Sequence, residues 1–287
     1  MTEFGDEMAL ESALENPGLV EAAQKMADED EVPTLTDPLD GPITLPAGFL
    51  RTKVGSDGTS FEEVRTAWVR ELTGEDEEKI ARAKMRQDPE AWLRTILECG
   101  VEKLGDLTPD REDFNSLLVG DQQFLLMHIA RATYGDDLHY DDFVCPECGE
   151  KFSVSLSLSE DVPVRHLDKI EDAEFDVRLK NDRVAKVTLP TSEVAGLVSR
   201  ADTPAEANTI LVTHCVSEIR GPKGTLTIAG DVQAARKLGV QDRQTLVTEM
   251  GERMPGPQYN EVRFNHEPGC GKEIRLSIAL ADLFLGL

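Results

Sequence analysis

FVCPECGEKF, residues 143–152, is the stretch from which the fold is read. Cys145 and Cys148 stand at the spacing of half a zinc site, and a structural zinc takes four ligands. Before the pair comes LHYDDFV. After it comes GEKFSVSLSL, in which Phe152, Val154, Leu156 and Leu158 alternate with polar residues. Alternation on both sides of a Gly- and Pro-bearing tip predicts a β-hairpin carrying the two cysteines at its end. Two further ligands must then come from elsewhere in the chain.

An internal duplication points to them. LLVGDQQFLLMHIARATYGDDLHYDDFVCPECGEKFSVSLSL (117–158) aligns with KLGVQDRQTLVTEMGERMPGPQYNEVRFNHEPGCGKEIRLSIAL (237–280). Asp121 falls on Asp242, Gln123 on Gln244, Leu125 on Leu246 and Phe143 on Phe264. Cys145 then falls on His266, and Cys148 falls on Cys270 after one inserted residue, with Gly149 on Gly271. Upstream, TILECGVEKL (95–104) resembles TILVTHCVSEI (209–219), and ITLPA (43–47) resembles VTLPT (187–191). Repetition in one order predicts two copies of one α+β unit. The expected metal set is Cys145, Cys148, His266 and Cys270, a Cys3His set in which zinc is the commonest occupant. Such an ion ties together segments more than a hundred residues apart, whose closure costs a flexible chain roughly 4–5 kcal/mol. All four positions of a tetrahedral ion are then filled by protein, which predicts a structural ion and not a catalytic one.

Bulk composition bounds the rest. The chain has 287 residues, 40% hydrophobic and 30% charged, enough for one large domain or two smaller ones. Its five cysteines are an odd number, which favours a metal site over a disulfide framework. The net charge is −25, with 30 Lys and Arg scattered among 55 acids. That balance opposes phosphate backbones and suits a basic protein partner. No run approaches the ~20 apolar residues of a membrane span. The acidic start MTEFGDEMALESALEN has no basic region ahead of an apolar one, so the expectation is a protein without a signal peptide, kept in cytoplasm.

Along the chain, residues 1–42 read as an acidic, mostly disordered arm, with a short amphipathic helix within Met8–Met26 as the alternative, a segment that folds on a partner. Residues 43–160 form the first α+β lobe with the CxxC hairpin, and 161–287 the second with the HxxxC hairpin. VRTAWVREL (64–72) reads as a strand, GEDEEKIARAKM and PEAWLRTILECGVEKL as helices, and 113–133 as a helix that Gly120-Asp121 splits. FDVRL and AKVTL read as strands. TSEVAGLVSR, PAEANTILVTHCVSEI, VQAARKLGV and DRQTLVTEMGERM read as helices, YNEVRF with KEIRLSI as the second hairpin, and ALADLFLGL as a short apolar helix. That helix packs its Leu280, Leu283, Phe284, Leu285 and Leu287 on the second hairpin or docks a partner.

No catalytic constellation emerges. Cys99 and Cys215 fall on apolar helix faces, as buried core thiols do. His128, in LLMHIA, fits a helix face, and His139 and His166 have no Ser or Cys partner at a useful spacing. His214 and Cys215 are adjacent on a helix and so point about 100° apart, unlike a nucleophile and its base. Asp136-Asp137 and Asp141-Asp142 fit a solvated turn and match no calcium loop. VGSDGTS (54–60) and GPKG (221–224) are turns without the signature of a phosphate loop.

The same segments carry a family resemblance. ITLPAGFL, VRELTGEDEEKI, SLLVGDQQFLLMHIARATYGDD and VCPECGEKFSVSLSL resemble the T4-type bacteriophage baseplate protein family, over roughly residues 43–287 and most specifically 67–158. Two motifs carry it: Leu72-Thr73-Gly74-x-Asp76-Glu77 ahead of helices, and Gly120-Asp121 with an apolar helix before the Cys-Pro-x-Cys-Gly knuckle. The acidic arm and the His266 substitution lie outside the family pattern. The resemblance implies a baseplate hub component or hub-assembly factor, found also in contractile injection systems, that binds other tail proteins in the virion or in the host cytoplasm during assembly. It implies no enzymatic turnover. The alternative is a zinc-ribbon-like binding module in transcription or nucleic-acid metabolism. That reading needs a basic face near the knuckles, where Lys151, Lys272 and Arg275 stand among Glu147, Glu150, Glu267 and Glu273. An enzyme is the third reading, and it needs an open metal position or a carboxylate pair in a cleft.

Overall fold

The structure, a computed structural model, describes residues 41–55, 58–85, 89–267 and 269–284. The acidic arm and its alternative helix, and the terminal Leu285 and Leu287, lie outside these residues. The chain mixes α and β structure, with eight α-helices and several small antiparallel sheets among the described residues.

Strands β1 (Ile43–Gly55) and β2 (Gly58–Val69) form a long antiparallel hairpin, and β3 (Val101–Leu104) adds to β2. Helices α1 (Gly74–Lys84) and α2 (Pro89–Gly100) lie between β2 and β3 in the chain. The Leu-Thr-Gly-x-Asp motif is the start of α1 in physical terms. The Thr73 side chain accepts from the Asp76 N–H, while Asp76 accepts from the Thr73 N–H at 3.0 Å, a capping box. Asp76 also accepts from Arg70 at 2.7 Å. Burial opposes the ionisation of Asp76, but the hydrogen bonds from Arg70 and Thr73 outweigh it and hold the carboxyl well below the usual range. The sequence extends α2 through VEKL, whereas the helix ends at Gly100 and Val101 turns out to pair with Val69. The strand is chosen by a partner some thirty residues back, which no local periodicity registers.

Helices α3 (Arg111–Ser116) and α4 (Val119–Tyr134) replace the single pattern read over 113–133. The break is at Leu117-Leu118, just before Gly120-Asp121. There Ser192 N–H donates to the Leu117 carbonyl and Leu118 bridges to Thr191, so backbone from the second half occupies the gap. Strands β4 (Asp137–Val144) and β5 (Lys151–Ser157) then form the expected hairpin.

After the short β6 (Val164–Arg165) and a 3-10 turn, the order of elements recurs. Strands β7 (Glu174–Leu179) and β8 (Arg183–Thr188) precede helices α5 (Ser192–Val198) and α6 (Pro204–Cys215). Next come β9 (Val216–Gly221) and β10 (Gly224–Thr227), helices α7 (Val232–Arg236) and α8 (Val240–Arg253), the two-residue β11 (Gly256–Pro257), and the hairpin β12 (Val262–Asn265) with β13 (Glu273–Leu276). As with VEKL, the VSEI end of the predicted helix is strand: β9 lies between β8 and β10. ITLPA opens β1 whereas VTLPT closes β8 and leads into α5, so this one pairing of segments joins places that do not correspond in the order.

Pro38–Leu287 makes one compact unit with two apolar cores. The first gathers Leu45, Ile80, Ile96, Leu125 and Leu156 with residues far along the chain, among them Val262, Ile278 and Phe284. The second gathers Val187, Val212, Ile219 and Leu246 with Ala47 and Leu118. The second hairpin thus buries its apolar side on the first core. The tail ends in a 3-10 helix, Leu280–Phe284. Phe284 meets Trp92 of α2 and Tyr134 of α4 edge-on at 6.2 and 6.5 Å, so the described part of the tail packs on the first-half helices, within the core that also takes Val262 and Leu276 of the second hairpin.

Candidate metal centre

Both hairpins end in the same backbone device. Cys145 N–H donates to the Glu150 carbonyl and Gly149 N–H to the Cys145 carbonyl, each at 2.9 Å. In the second tip, His266 N–H donates to the Lys272 carbonyl at 3.0 Å and Gly271 N–H to the His266 carbonyl at 2.9 Å. Gly149 and Gly271 close the two turns at φ 76° and 67°, the left-handed region that glycine enters freely. Each knuckle turns its first ligand inward: Cys145 is 1% and His266 2% exposed, whereas Cys148 and Cys270 lie at the rim.

The tips meet. The three Sγ atoms and a His266 ring nitrogen all lie within 4.8 Å of one another, the one such group found among the described residues. Cys145 Sγ is 3.8 Å from Cys270 Sγ, and His266 Nδ1 is 3.5 Å from both Cys148 Sγ and Cys270 Sγ. Tetrahedral zinc with Zn–S about 2.3 Å and Zn–N about 2.0–2.1 Å separates two sulfurs by about 3.8 Å and sulfur from nitrogen by about 3.5 Å. Those three edges therefore have the length a zinc ion requires, and Nδ1 is the imidazole atom that faces the sulfurs.

Aromatic packing and an ion pair also join the two tips. Phe143 and Phe152 of the first hairpin stand 5.8 and 6.0 Å from Phe264 of the second, and Phe152 stacks on the His266 ring at 4.0 Å and 23°. Such pairs each contribute about 0.5–1.5 kcal/mol beyond area burial. Lys272 binds Glu147 across the tips at 2.8 Å. Burial raises the Cys145 thiol, but hydrogen bonds from the Cys148 and Glu147 N–H groups and from the neighbouring thiols outweigh it and bring it down to about 7. A thiol held there supplies the thiolate that a metal binds. The nearby cations face acids or carbonyls: Arg263 pairs with Glu273 at 3.1 Å, and Arg275 donates to the Asn260 carbonyl.

The remaining candidates stand apart from this centre. Cys215 is buried and its thiol is pushed up to about 12 by burial, while its neighbour His214 is exposed on the other side of α6. Cys99 is half-buried, and burial together with Asp76 pushes it up to about 11. His128 is buried against Phe124 at 4.4 Å, and burial followed by the Arg131 charge lowers it to about 4. His139 and His166 are exposed. Asp136 accepts from Ser157, Ser159 and Arg131, and Asp142 sits at φ 56° in the irregular part of β4.

The Gly-Asp motif has a role that its sequence does not announce. Asp121, third residue of α4 and 0% exposed, accepts from Ala47 and Gly48 N–H at 2.8 and 2.9 Å, where β1 makes an excursion between Thr44 and Phe49. Asp242, third residue of α8, likewise accepts from Lys180 N–H at 3.2 Å and binds Arg183. Neither helix has a side-chain N-cap, and both N-cap residues are extended, with ψ 152° and 145°. Gly120 lies against the backbone of Pro255 and Gly256 so closely that an added Cβ would come within 2.5 Å of the Pro255 carbonyl carbon.

The profile of the family described as T4 bacteriophage base plate protein matches residues 57–237, a span that holds both motifs, Cys145 and Cys148, and stops before His266 and Cys270. No curated protein and no solved structure matches the chain. A match across more than half of the sequence places it: the chain belongs to the T4 bacteriophage base plate protein family.

Proposed function

We propose that the chain is a non-enzymatic structural or assembly component of a phage tail baseplate, a hub component or hub-assembly factor. Its two hairpin tips are clamped by one structural zinc ion on Cys145, Cys148, His266 and Cys270. The zinc turns two related units, 43–160 and 161–287, into one rigid adaptor for other tail proteins. It acts in the virion or in the host cytoplasm during assembly. The observation that carries the reading is the convergence of four ligand atoms, from tips 118 residues apart, to within 4.8 Å. Four protein ligands leave a tetrahedral ion no position for an activated water, which favours a clamp over a reaction centre. The recurring order of elements and the paired aspartates at the third position of α4 and α8 support the two related units. The second hairpin lying on the first core makes these units of sequence that fold together.

Two measurements test the reading. Metal analysis of the purified chain gives one zinc per chain, and Cys148→Ser and Cys270→Ser each lose the metal and melt earlier. Zinc held free at 100-fold its Kd stabilises the folded state by about 2.7 kcal/mol, a melting shift of roughly 5–11 °C for a unit of this size. Serine variants that melt with the parent refute the clamp. For the adaptor role, affinity capture from producing cells with mass spectrometry recovers hub or spike proteins. Recovery of polymerase subunits instead overturns it.

A further inference from the structure

The two knuckles close with the same pair of backbone hydrogen bonds around different contents. From first ligand to closing glycine, the first turn runs 145–149 and the second 266–271, one residue longer. The first-position ligand differs too. A thiol places its metal-facing atom one bond from Cβ, whereas Nδ1 lies two bonds out and belongs to a ring that must fit inside the turn. Gly269, in the longer turn, lies against that ring. A Cβ built on it would come to 2.5 Å from Nδ1 and nearer still to Cε1 and Nε2, inside any tolerated contact. The ring cannot yield easily, because Phe152 stacks on it at 4.0 Å and it is 2% exposed. Nε2 meanwhile stands 3.9 Å from Glu150 Oε2.

Resting on the zinc reading above, we propose that Gly269 is a positioning residue of the metal site. By carrying no side chain in the lengthened turn, it lets an imidazole present Nδ1 where the other knuckle presents a thiolate. His266, the extra residue and Gly269 act as one compensated change from a cysteine knuckle. Gly269 touches no ligand electron pair and acts only through the position of His266. Its backbone φ is outside the left-handed region, so steric room and not backbone freedom is what the glycine supplies.

The test uses the full chain, with zinc affinity read by competition against a chromogenic chelator and ligand geometry by the visible absorption of the cobalt(II)-substituted protein. Gly269→Ala weakens zinc binding 10- to 100-fold, the range seen when a residue that orients a ligand is lost, and alters the cobalt spectrum although all four ligands remain. His266→Cys/Gly269→Ala binds zinc no more weakly than His266→Cys, because a thiol leaves room for the methyl group. If Gly269→Ala is too unstable to purify, recovery of a folded, metal-binding double variant still supports the proposal. Gly269→Ala binding like the parent, or the alanine weakening zinc equally in the His266→Cys background, overturns it while leaving the zinc site intact. A parent chain that takes up no zinc overturns site and proposal together.

Discussion

Replacing Gly120 by alanine loads one methyl group onto a main-chain approach that leaves a Cβ less room than at any other described glycine. The new Cβ would overlap the Pro255 carbonyl, 2.5 Å from its carbon and closer to its oxygen, with the Gly256 nitrogen at 3.2 Å. The reciprocal face is as tight, since a Cβ on Gly256 would lie 2.7 Å from the Gly120 carbonyl carbon. Both partners are main chain, so no side chain can rotate away, and the start of α4 must retreat by about 1 Å to restore ordinary contact. Overpacking of this kind costs about 1–3 kcal/mol. The same retreat stretches the bonds that the buried Asp121 accepts from Ala47 and Gly48, and leaving a buried polar group without its partner costs about 1–3 kcal/mol. With partial loss of these, Gly120→Ala destabilises by about 3–5 kcal/mol, which lowers the melting temperature by roughly 6–20 °C. Gly251→Ala is the control. That residue is inside α8 with open space where a Cβ would stand, so alanine stabilises by about 0.5–1 kcal/mol. Urea unfolding followed by circular dichroism reads both. Gly120→Ala within about 0.5 kcal/mol of the parent would mean that the close approach is no constraint and that the motif glycine has another purpose.

Asp121 also predicts a pH dependence. Burial pushes its carboxyl up to about 7 against the lowering effect of the Ala47 and Gly48 N–H groups and Arg65. Unfolded, it titrates near 3.9. The folded chain therefore holds a proton that the unfolded chain has released, so this contribution to stability is full below about pH 4 and is lost as pH rises through about 7. The stability difference between parent and Asp121→Asn shrinks over that window, and a difference constant with pH refutes the assignment. Asp113→Ala strands the buried Arg51, whose Nε and Nη2 reach Asp113 at 2.7 and 2.9 Å. The loss is about 3 kcal/mol, at the low end for a broken buried pair because Glu62 stands 3.9 Å from Nη1. Arg51→Met/Asp113→Leu recovers most of it, and a double variant no more stable than the single one contradicts this reading. Thiol titration of the zinc-loaded native chain leaves Cys215 unreactive, and a chelator releases three further fast thiols at 145, 148 and 270. Equal reactivity before and after chelation argues that no metal protects them.

Legibility in the sequence followed the range of the interaction. The alternation of Phe152, Val154 and Leu156 and the CPEC tip are local chemistry, written within a few residues, and each is where the sequence places it. The meeting of Cys145 and Cys148 with His266 and Cys270 was legible for a different reason: a repeated order of segments implied equivalent tips. The strand ends VEKL and VSEI were not legible, because their helical neighbours set the local pattern and only pairing with β2 and β8 turns them into strand.

The candidate ligands, the hairpins that carry them and the family were readable along the chain. Ligand chemistry, period-two alternation and the spacing of glycines and prolines need no distant partner. Only the folded structure shows that the second hairpin and the tail complete the first core, that Gly120 meets the backbone of Pro255, and that Gly269 lies against the His266 ring. These are matters of volume, settled when surfaces far apart in the chain are pressed to van der Waals contact, and volume has no signature in a linear pattern.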